Sequence, residues 1–296
     1  SQFVHCLAQG KVGSGFDVSS ATFGSQKYTR FNSRVLQRCL EMAERKNQHM
    51  IQCLVCDHEL IELIAHDLEL DALVRYGTLS KWDNKRTPFQ LPPGFQLFVA
   101  DVDQGSNTPS MIRQVLQWRS DKREKALEVW NQIDSLNNSI EQLFNELTTY
   151  SKEDFKLYMD TLNELSTIAS QEWTTVYTQN RNSLCHRIAD CMSRIRYTFG
   201  YIRQKLKYMG EQSSVPIEPD EQTELLNATM DMRGCLIAGV PGAGGFDAIF
   251  CILFGGHESE VQSRMAQMWL SYDKAVVCPL LLGESRAKGI VVETKQ

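Results

Sequence analysis

No stretch of this sequence stays apolar for the length a membrane-crossing helix needs, and its opening residues do not have the pattern of a signal peptide. Basic charge is not in excess. Lys and Arg number 31 against 36 Asp and Glu, a formal net charge of −5, which argues against a surface built for nucleic acid. Metal-ligand spacing is missing as well: no second CxxC or paired histidines answer Cys53-Leu54-Val55-Cys56, so no metal-ligating set is expected. The nine cysteines are odd in number and scattered, with Cys251 and Cys278 inside apolar runs. They read as free, buried thiols of a reducing, cytoplasmic setting rather than as a disulfide framework. Internal repeats and low-complexity tracts are absent too.

What is present is an ordinary globular composition, 42% hydrophobic and 23% charged over 296 residues, enough for one large or two modest domains. Residues 10–28, rich in glycine and serine, read as a loop leading into a helix. Apolar positions across 34–76 follow helical spacing. A proline-rich stretch at 88–93 breaks the chain and marks the expected boundary between domains 1–94 and 95–296. Beyond it, Phe95 to Asp101 reads as a buried strand, and Gly105-Ser106-Asn107-Thr108-Pro109 as a capped helix start. Long helices follow. One carries Leu127, Trp130, Ile133, Leu136, Ile140, Leu143 and Leu147. The other carries Ile188, Met192, Ile195, Phe199, Ile202, Leu206 and Met209 at alternating steps of four and three; both stripes read as core or helix-packing faces. Strands are expected at 235–239 and 248–254, a helix at 258–272, and strands at 274–282 and 289–293. From Phe95 the order is strand, helices, strand, strand, helix, strand. This is an α/β (α+β) chain whose second domain has the split βαββαβ arrangement of a ferredoxin-like fold, with extra helices in the first crossover.

Three segments combine glycine, hydroxyls and charge. In Lys11-Val12-Gly13-Ser14-Gly15-Phe16-Asp17 the glycines free the backbone to approach a ligand, and Asp17 either caps the following helix or faces a bound substrate. Gly105-Ser106-Asn107-Thr108 offers amides and hydroxyls at a helix start, an anion site or an ordinary cap. Gly239-Val240-Pro241-Gly242-Ala243-Gly244-Gly245-Phe246-Asp247 holds four glycines between apolar strands, more than a tight hairpin requires. A backbone passing close to phosphate accounts for that excess. It lacks the Lys-Ser/Thr ending of a Walker loop and is not a dinucleotide fingerprint. Arg196, Arg203 and Lys207 fall on one side of the second long helix. Each is solvated surface, or reaches a phosphate; Arg203 is the choice for the latter.

Together and in this order, these segments resemble the phosphomevalonate kinases of the fungal and plant type, within the GHMP kinase superfamily. The resemblance rests on Lys11-Val12-Gly13-Ser14-Gly15-Phe16-Asp17 with Tyr28-Thr29-Arg30-Phe31, on Gly105-Ser106-Asn107-Thr108 with Trp118, and on Ile217-Glu218-Pro219, Gln222-Thr223 and the Gly239 to Ala248 run. It implies transfer of a phosphoryl group from ATP, with Mg²⁺, to 5-phosphomevalonate, giving 5-diphosphomevalonate in isoprenoid and sterol synthesis. It also implies a cytoplasmic or peroxisomal setting. Asp17 matches the catalytic aspartate, with Lys11 as a charge partner. Ser14, Gly15, Ser106, Thr108 and Arg203 are the expected substrate contacts, and Gly242, Ala243, Gly244 and Gly245 the phosphate loop. Residues 1–94 would be the tail of the GHMP amino-terminal domain, and 95–296 the carboxy-terminal domain. One departure stands out: the family's earlier Gly-Leu-Gly-Ser-Ser-Ala loop, which cradles the ATP phosphates, does not occur in this chain. Most of the nucleotide pocket is then expected upstream of Ser1, and this chain alone is expected to be inactive. Two other classes stay open: a non-catalytic GHMP relative that binds phosphorylated small molecules, and a protein whose helices over 127–209 form a partner surface.

Overall fold

The computed structural model describes residues 5–6, 12–33, 84–103, 105–106, 108–178, 183–255 and 258–280. Lys11, the helical reading of 34–76, the Cys53/Cys56 pair and the strand expected at 289–293 lie outside these residues. The chain divides into two compact units, one of Ser1–Gln90 together with Ser285–Gln296 and the other of Leu91–Glu284.

In the first unit, helix α1 (Phe16–Phe23) is followed by a two-stranded antiparallel ribbon of β1 (Gln26–Thr29) and β2 (Lys85–Pro88). The Gly-Ser loop does lead into a helix, but the helix is short and Tyr28 belongs to the ribbon, opposite Arg86. Arg86 lies over the Phe23 ring at 3.4 Å, a cation–π contact joining helix and ribbon.

The second unit is built on β3 (Phe95–Val102), β4 (Cys235–Gly239), β5 (Ala248–Phe254) and β6 (Val277–Leu280), ordered β4-β5-β3-β6 with every pairing antiparallel. This is the split βαββαβ order expected from the alternation of elements. Helices α2 (Thr108–Asp121), α3 (Arg123–Glu153), α4 (Phe155–Leu165), the short α5 (Trp173–Val176), α6 (Leu184–Ser213) and α7 (Asp220–Asp231) fill the first crossover, and α8 (Glu258–Leu270) the second. Local signals fix several starts: the Asp154 side chain accepts from the Leu157 amide at 2.9 Å, and Ser183 from the His186 amide at 3.2 Å.

Alternation along β3 buries Phe98, Ala100 and Val102 on one face, while Phe95, of opposite parity, is buried against Phe144 and Phe254. One sheet face packs on α7 and α8, where Phe98 stacks on Trp269 with ring centroids 4.9 Å apart. The Trp269 indole donates to Thr229 Oγ1 at 2.9 Å, so this ring is buried without leaving its N–H unpaired. β4 forms an edge of the sheet, yet all of its residues are buried. Arg196 of α6 covers it, donating to the carbonyls of Cys235, Leu236 and Met230 at 2.7–3.4 Å. Burial lowers the pKa of this guanidinium; two of the carbonyls it satisfies belong to the edge strand, and the third, of Met230, lies in the last turn of α7, where helix carbonyls lack an intrahelical partner.

Two readings need correction. Cys278 is exposed, not buried, because β6 alternates and Val277 takes the inward position. In α3 the buried apolar residues are Ala126, Val129, Leu143, Phe144 and Leu147, while Leu127 is exposed. A helix of 31 residues drifts away from any straight run of three and four steps, so the contact face begins one position from where the leucines point.

Truncating Phe98 to alanine removes a stacked, fully buried ring and is expected to lower unfolding stability by about 3–5 kcal/mol. Tyr197→Ala, at a residue 74% exposed, should stay within about 0.5 kcal/mol. Urea titrations of the two variants measure the difference.

Candidate functional site

In the first unit, Gly15 takes the left-handed conformation (φ 77°) at the N-cap of α1 without a side-chain cap. Asp17 sits in the first turn, where a carboxylate suits the helix dipole, but its side chain does not cap the helix. Its Oδ2 lies 2.9 Å from Nε2 of His5, and both side chains are partly exposed. The cap alternative is therefore excluded, and Asp17 keeps an oxygen-bearing group at the surface. Ser14 is half-buried, its carbonyl accepting from the Tyr28 hydroxyl at 3.1 Å. Arg30 donates to the carbonyls of Val12 and Gly13 at 3.0 and 3.2 Å. The quoted Tyr28 and Arg30 thus hold the Val12-Gly13-Ser14 backbone in place. Burial raises the Tyr28 pKa despite the neighbouring Arg30 cation, so its hydroxyl stays a donor across the physiological range.

In the second unit the second and third segments meet. The Ser106 amide donates to Asp247 Oδ1 at 2.6 Å, and the Phe246 amide donates to Ser106 Oγ at 2.8 Å. These residues are about 140 positions apart in sequence. Antiparallel register explains the meeting: Asp101 of β3 faces Ala248 of β5, so the chain leaving β3 runs beside the chain entering β5. Thr108 then opens α2, with Pro109 second, where its missing N–H is harmless. The Asp247 carboxylate lies just ahead of α2 and already supplies an anion to a donor there.

The glycine loop is held from below by the segment before α7. Gly245 N–H donates to Ile217 O at 2.9 Å, and Gly244 N–H to Pro241 O at 3.1 Å. Gln222, buried on α7, donates from Nε2 to Phe246 O at 3.1 Å. A Cβ on Gly244 would lie 2.2 Å from the Ile217 carbonyl oxygen, and one on Gly245 would lie 2.3 Å from Ser106 Oγ. These two glycines, both at positive φ, are required by neighbouring chain rather than by open space for a ligand. At the tip, Gly242 has nothing within 4 Å of its Cβ position, and the amides of Gly242 and Ala243 take no part in these bonds. Ile217 also packs with Met111 and Trp118 of α2, which ties the quoted Trp118 to the same structure.

Arg203 does not face outward. Its guanidinium is buried against Glu218, with Nη2 to Oε1 at 2.6 Å, and donates to Asn227 Oδ1 at 3.1 Å. Lys207 pairs with Asp220 at 2.5 Å. Sequence spacing placed these cations on one side of α6 but held no sign of their partners. The available signal was Glu218 itself, a carboxylate set between Ile217 and Pro219 in an otherwise apolar turn. His5 had no local signal either. Among the described residues no three His, Cys, Asp or Glu side chains come together to hold a metal ion.

No protein-family model matches the chain. Compared with curated proteins, it is 38% identical over 295 residues to the peroxisomal phosphomevalonate kinase of Arabidopsis thaliana, covering 99% of this chain and 52% of that protein. It is 32% identical over 249 residues to the phosphomevalonate kinase of Candida albicans, covering 84% of this chain and 47% of that one. The resemblance to the plant and fungal phosphomevalonate kinases is shown. It reaches the Aspergillus fumigatus enzyme as well, at 30% identity over 255 residues, 86% of this chain and 42% of that protein. The chain thus spans about half the length of the curated relatives it matches. Among solved structures, a Listeria innocua protein aligns over 93% of this chain and 55% of its own at 14% identity and a TM-score of 0.45.

Steric demand and loop strain separate the two kinds of glycine. Gly244→Ala meets a carbonyl oxygen and a positive φ and should cost about 2 kcal/mol or more. Gly242→Ala meets only the φ penalty and should cost about 1 kcal/mol. Equal losses in thermal unfolding would mean that the Ile217 contact does not set the loop.

Proposed function

We propose that this chain acts in ATP-dependent phosphorylation of 5-phosphomevalonate to 5-diphosphomevalonate. The observation that carries the proposal is similarity to phosphomevalonate kinases along 99% of the chain, joined to a fold that knits the second and third motif segments into one structure. The finer domain assignment belongs to the same reading. Residues 1–94 serve as the tail of a GHMP amino-terminal domain and 95–296 as its carboxy-terminal domain; the β4-β5-β3-β6 sheet supports the latter.

Phosphoryl transfer depends chiefly on positioning and on electrostatic stabilisation of the moving phosphoryl group. The acceptor phosphate has a second pKa near 6 and is mostly dianionic at neutral pH, so it needs little help from a base. Asp17, with Lys11, then aligns the acceptor instead of deprotonating it, and His5 fixes the direction of the Asp17 carboxylate. The amides of Gly242 and Ala243, at the exposed tip of the loop, serve as phosphate donors, while Gly244 and Gly245 shape the loop beneath them. Ser14, Gly15, Ser106 and Thr108 belong to the substrate side. Mg²⁺ would arrive with ATP, supplying charge neutralisation on its phosphates and drawing on one or two carboxylates rather than a dedicated cage. Substrates are small molecules, and no helix among the described residues is long and apolar enough to cross a membrane. One of the relatives is named as peroxisomal, and the cytoplasm or the peroxisome is the setting assigned here.

ADP release in a coupled assay is the test, on the protein at the length of its relatives. It should depend on phosphomevalonate; phosphorylation of mevalonate or a sugar instead would contradict the substrate. Asp17→Asn should reduce kcat by about 100-fold with the unfolding midpoint retained. Loss of folding in that variant would make Asp17 structural.

A further inference from the structure

We propose that Arg203 and Glu218 are positioning residues, a buried ion pair that sets the glycine loop through the Ile217 carbonyl. Arg203 projects from α6 and reaches both carboxylate oxygens of Glu218 from Nε at 3.1 Å, with Nη2 to Oε1 at 2.6 Å. The residues are 9% and 4% exposed. A third donor, Nη1, holds Asn227 of α7, and Thr223 Oγ1 donates to Glu218 Oε1 at 3.1 Å. The carboxylate is therefore fixed from two helices. The peptide preceding it carries the Ile217 carbonyl, which accepts the Gly245 amide and leaves no room for a side chain on Gly244. Pro219 follows and restricts the backbone of Glu218 to extended conformations. A displacement of Glu218 is thus passed to Gly244 and Gly245 with little slack.

The choice of an ion pair is itself informative. A buried pair seldom stabilises a fold more than apolar side chains of similar volume, because desolvation offsets the attraction. What the guanidinium fork adds is direction, since it fits a carboxylate in one plane at fixed distances. Gln222 acts on the same loop at Phe246, and its Oε1 is buried with no hydrogen-bond partner among the described residues. α7 therefore reaches the strip of backbone just below the loop tip directly, and α6 acts on it only through the Glu218 side chain. Arg196, on the same face of α6, braces β4 instead and supplies a matched control.

The double variant Arg203→Met with Glu218→Leu removes the pair without stranding a charge, and Glu218→Gln removes only the carboxylate charge. Amide hydrogen exchange in the 296-residue chain reads the loop directly. In both variants the Gly245 and Phe246 amides should exchange about tenfold faster relative to Leu253 in β5, which reports the sheet. Arg196→Lys should change loop and sheet amides in step. Gly245 moving together with Leu253 in the double variant, or not moving at all, would overturn the proposal. The kinetic arm rests on the kinase reading given above. There, KM for a phosphorylated substrate should rise about tenfold while kcat falls by less than about threefold. An unsubstituted protein that releases no ADP with phosphomevalonate would defeat the kinase reading alone, and the exchange comparison would still decide the brace.

Discussion

Two hydrogen bonds around Ser106 organise the second unit. The Ser106 amide is held by the Asp247 carboxylate, and its hydroxyl oxygen accepts the Phe246 amide, so one residue clasps both ends of a short stretch lying about 140 positions away. Each bond requires the other's geometry, since the first fixes the Ser106 backbone and the second fixes its side chain. The clasp forms where it does because β3 and β5 pair antiparallel with Asp101 opposite Ala248. Both segments leave the sheet at the same end. The core stack of Phe98 on Trp269, which fixes β3 against α8, also fixes where Ser106 emerges.

Above the clasp, the loop's internal bonds divide its residues by role. Gly244, Gly245 and Phe246 direct their amides to Pro241, Ile217 and Ser106 and so are bound into the fold. Gly242 and Ala243 carry the tip. An abundance of glycine between strands therefore has two causes in one segment: close passage of neighbouring chain at its base, and an open approach at its tip. The same logic reassigns the cations of α6. Arg203 and Arg196, which spacing alone placed together, are both turned to internal partners, one beneath the loop and one along β4. A buried guanidinium with its donors satisfied shapes a site from behind instead of touching its ligand.

Much of this was readable in the residues, and the limits have physical causes. The βαββαβ order followed from the elements because β3, β4 and β5 are apolar enough to be recognised and α6 keeps its stripe from Ile188 to Met209. Ser106 and the glycine loop were recognised separately as motifs. Their contact needed the strand register, which depends on long-range pairing that no local pattern encodes. For Asp17 the residue pattern allows either a helix cap or a ligand-facing carboxylate, and only the fold brings His5 to the carboxylate in place of the helix start. Cys278 and Leu127 were misplaced for a common reason. Composition says a segment is buried, but the side chain's direction depends on register within the strand or on drift along a long helix. For Arg203, a charge on a helix face carries no record of its partner, and Glu218 lies beyond the helix end.

The claim that the two motif segments form one cooperative unit is tested most directly by a double-mutant cycle on unfolding stability with Ser106→Ala, which removes the acceptor for the Phe246 amide, and Asp247→Ala, which removes the acceptor for the Ser106 amide. If the two bonds of the clasp depend on one another, the variants will be coupled by about 0.5–3 kcal/mol, the double variant losing less than the sum of the singles. Additivity to within about 0.5 kcal/mol would show the two contacts to be independent, and the clasp would not be the constraint that brings the second and third segments together.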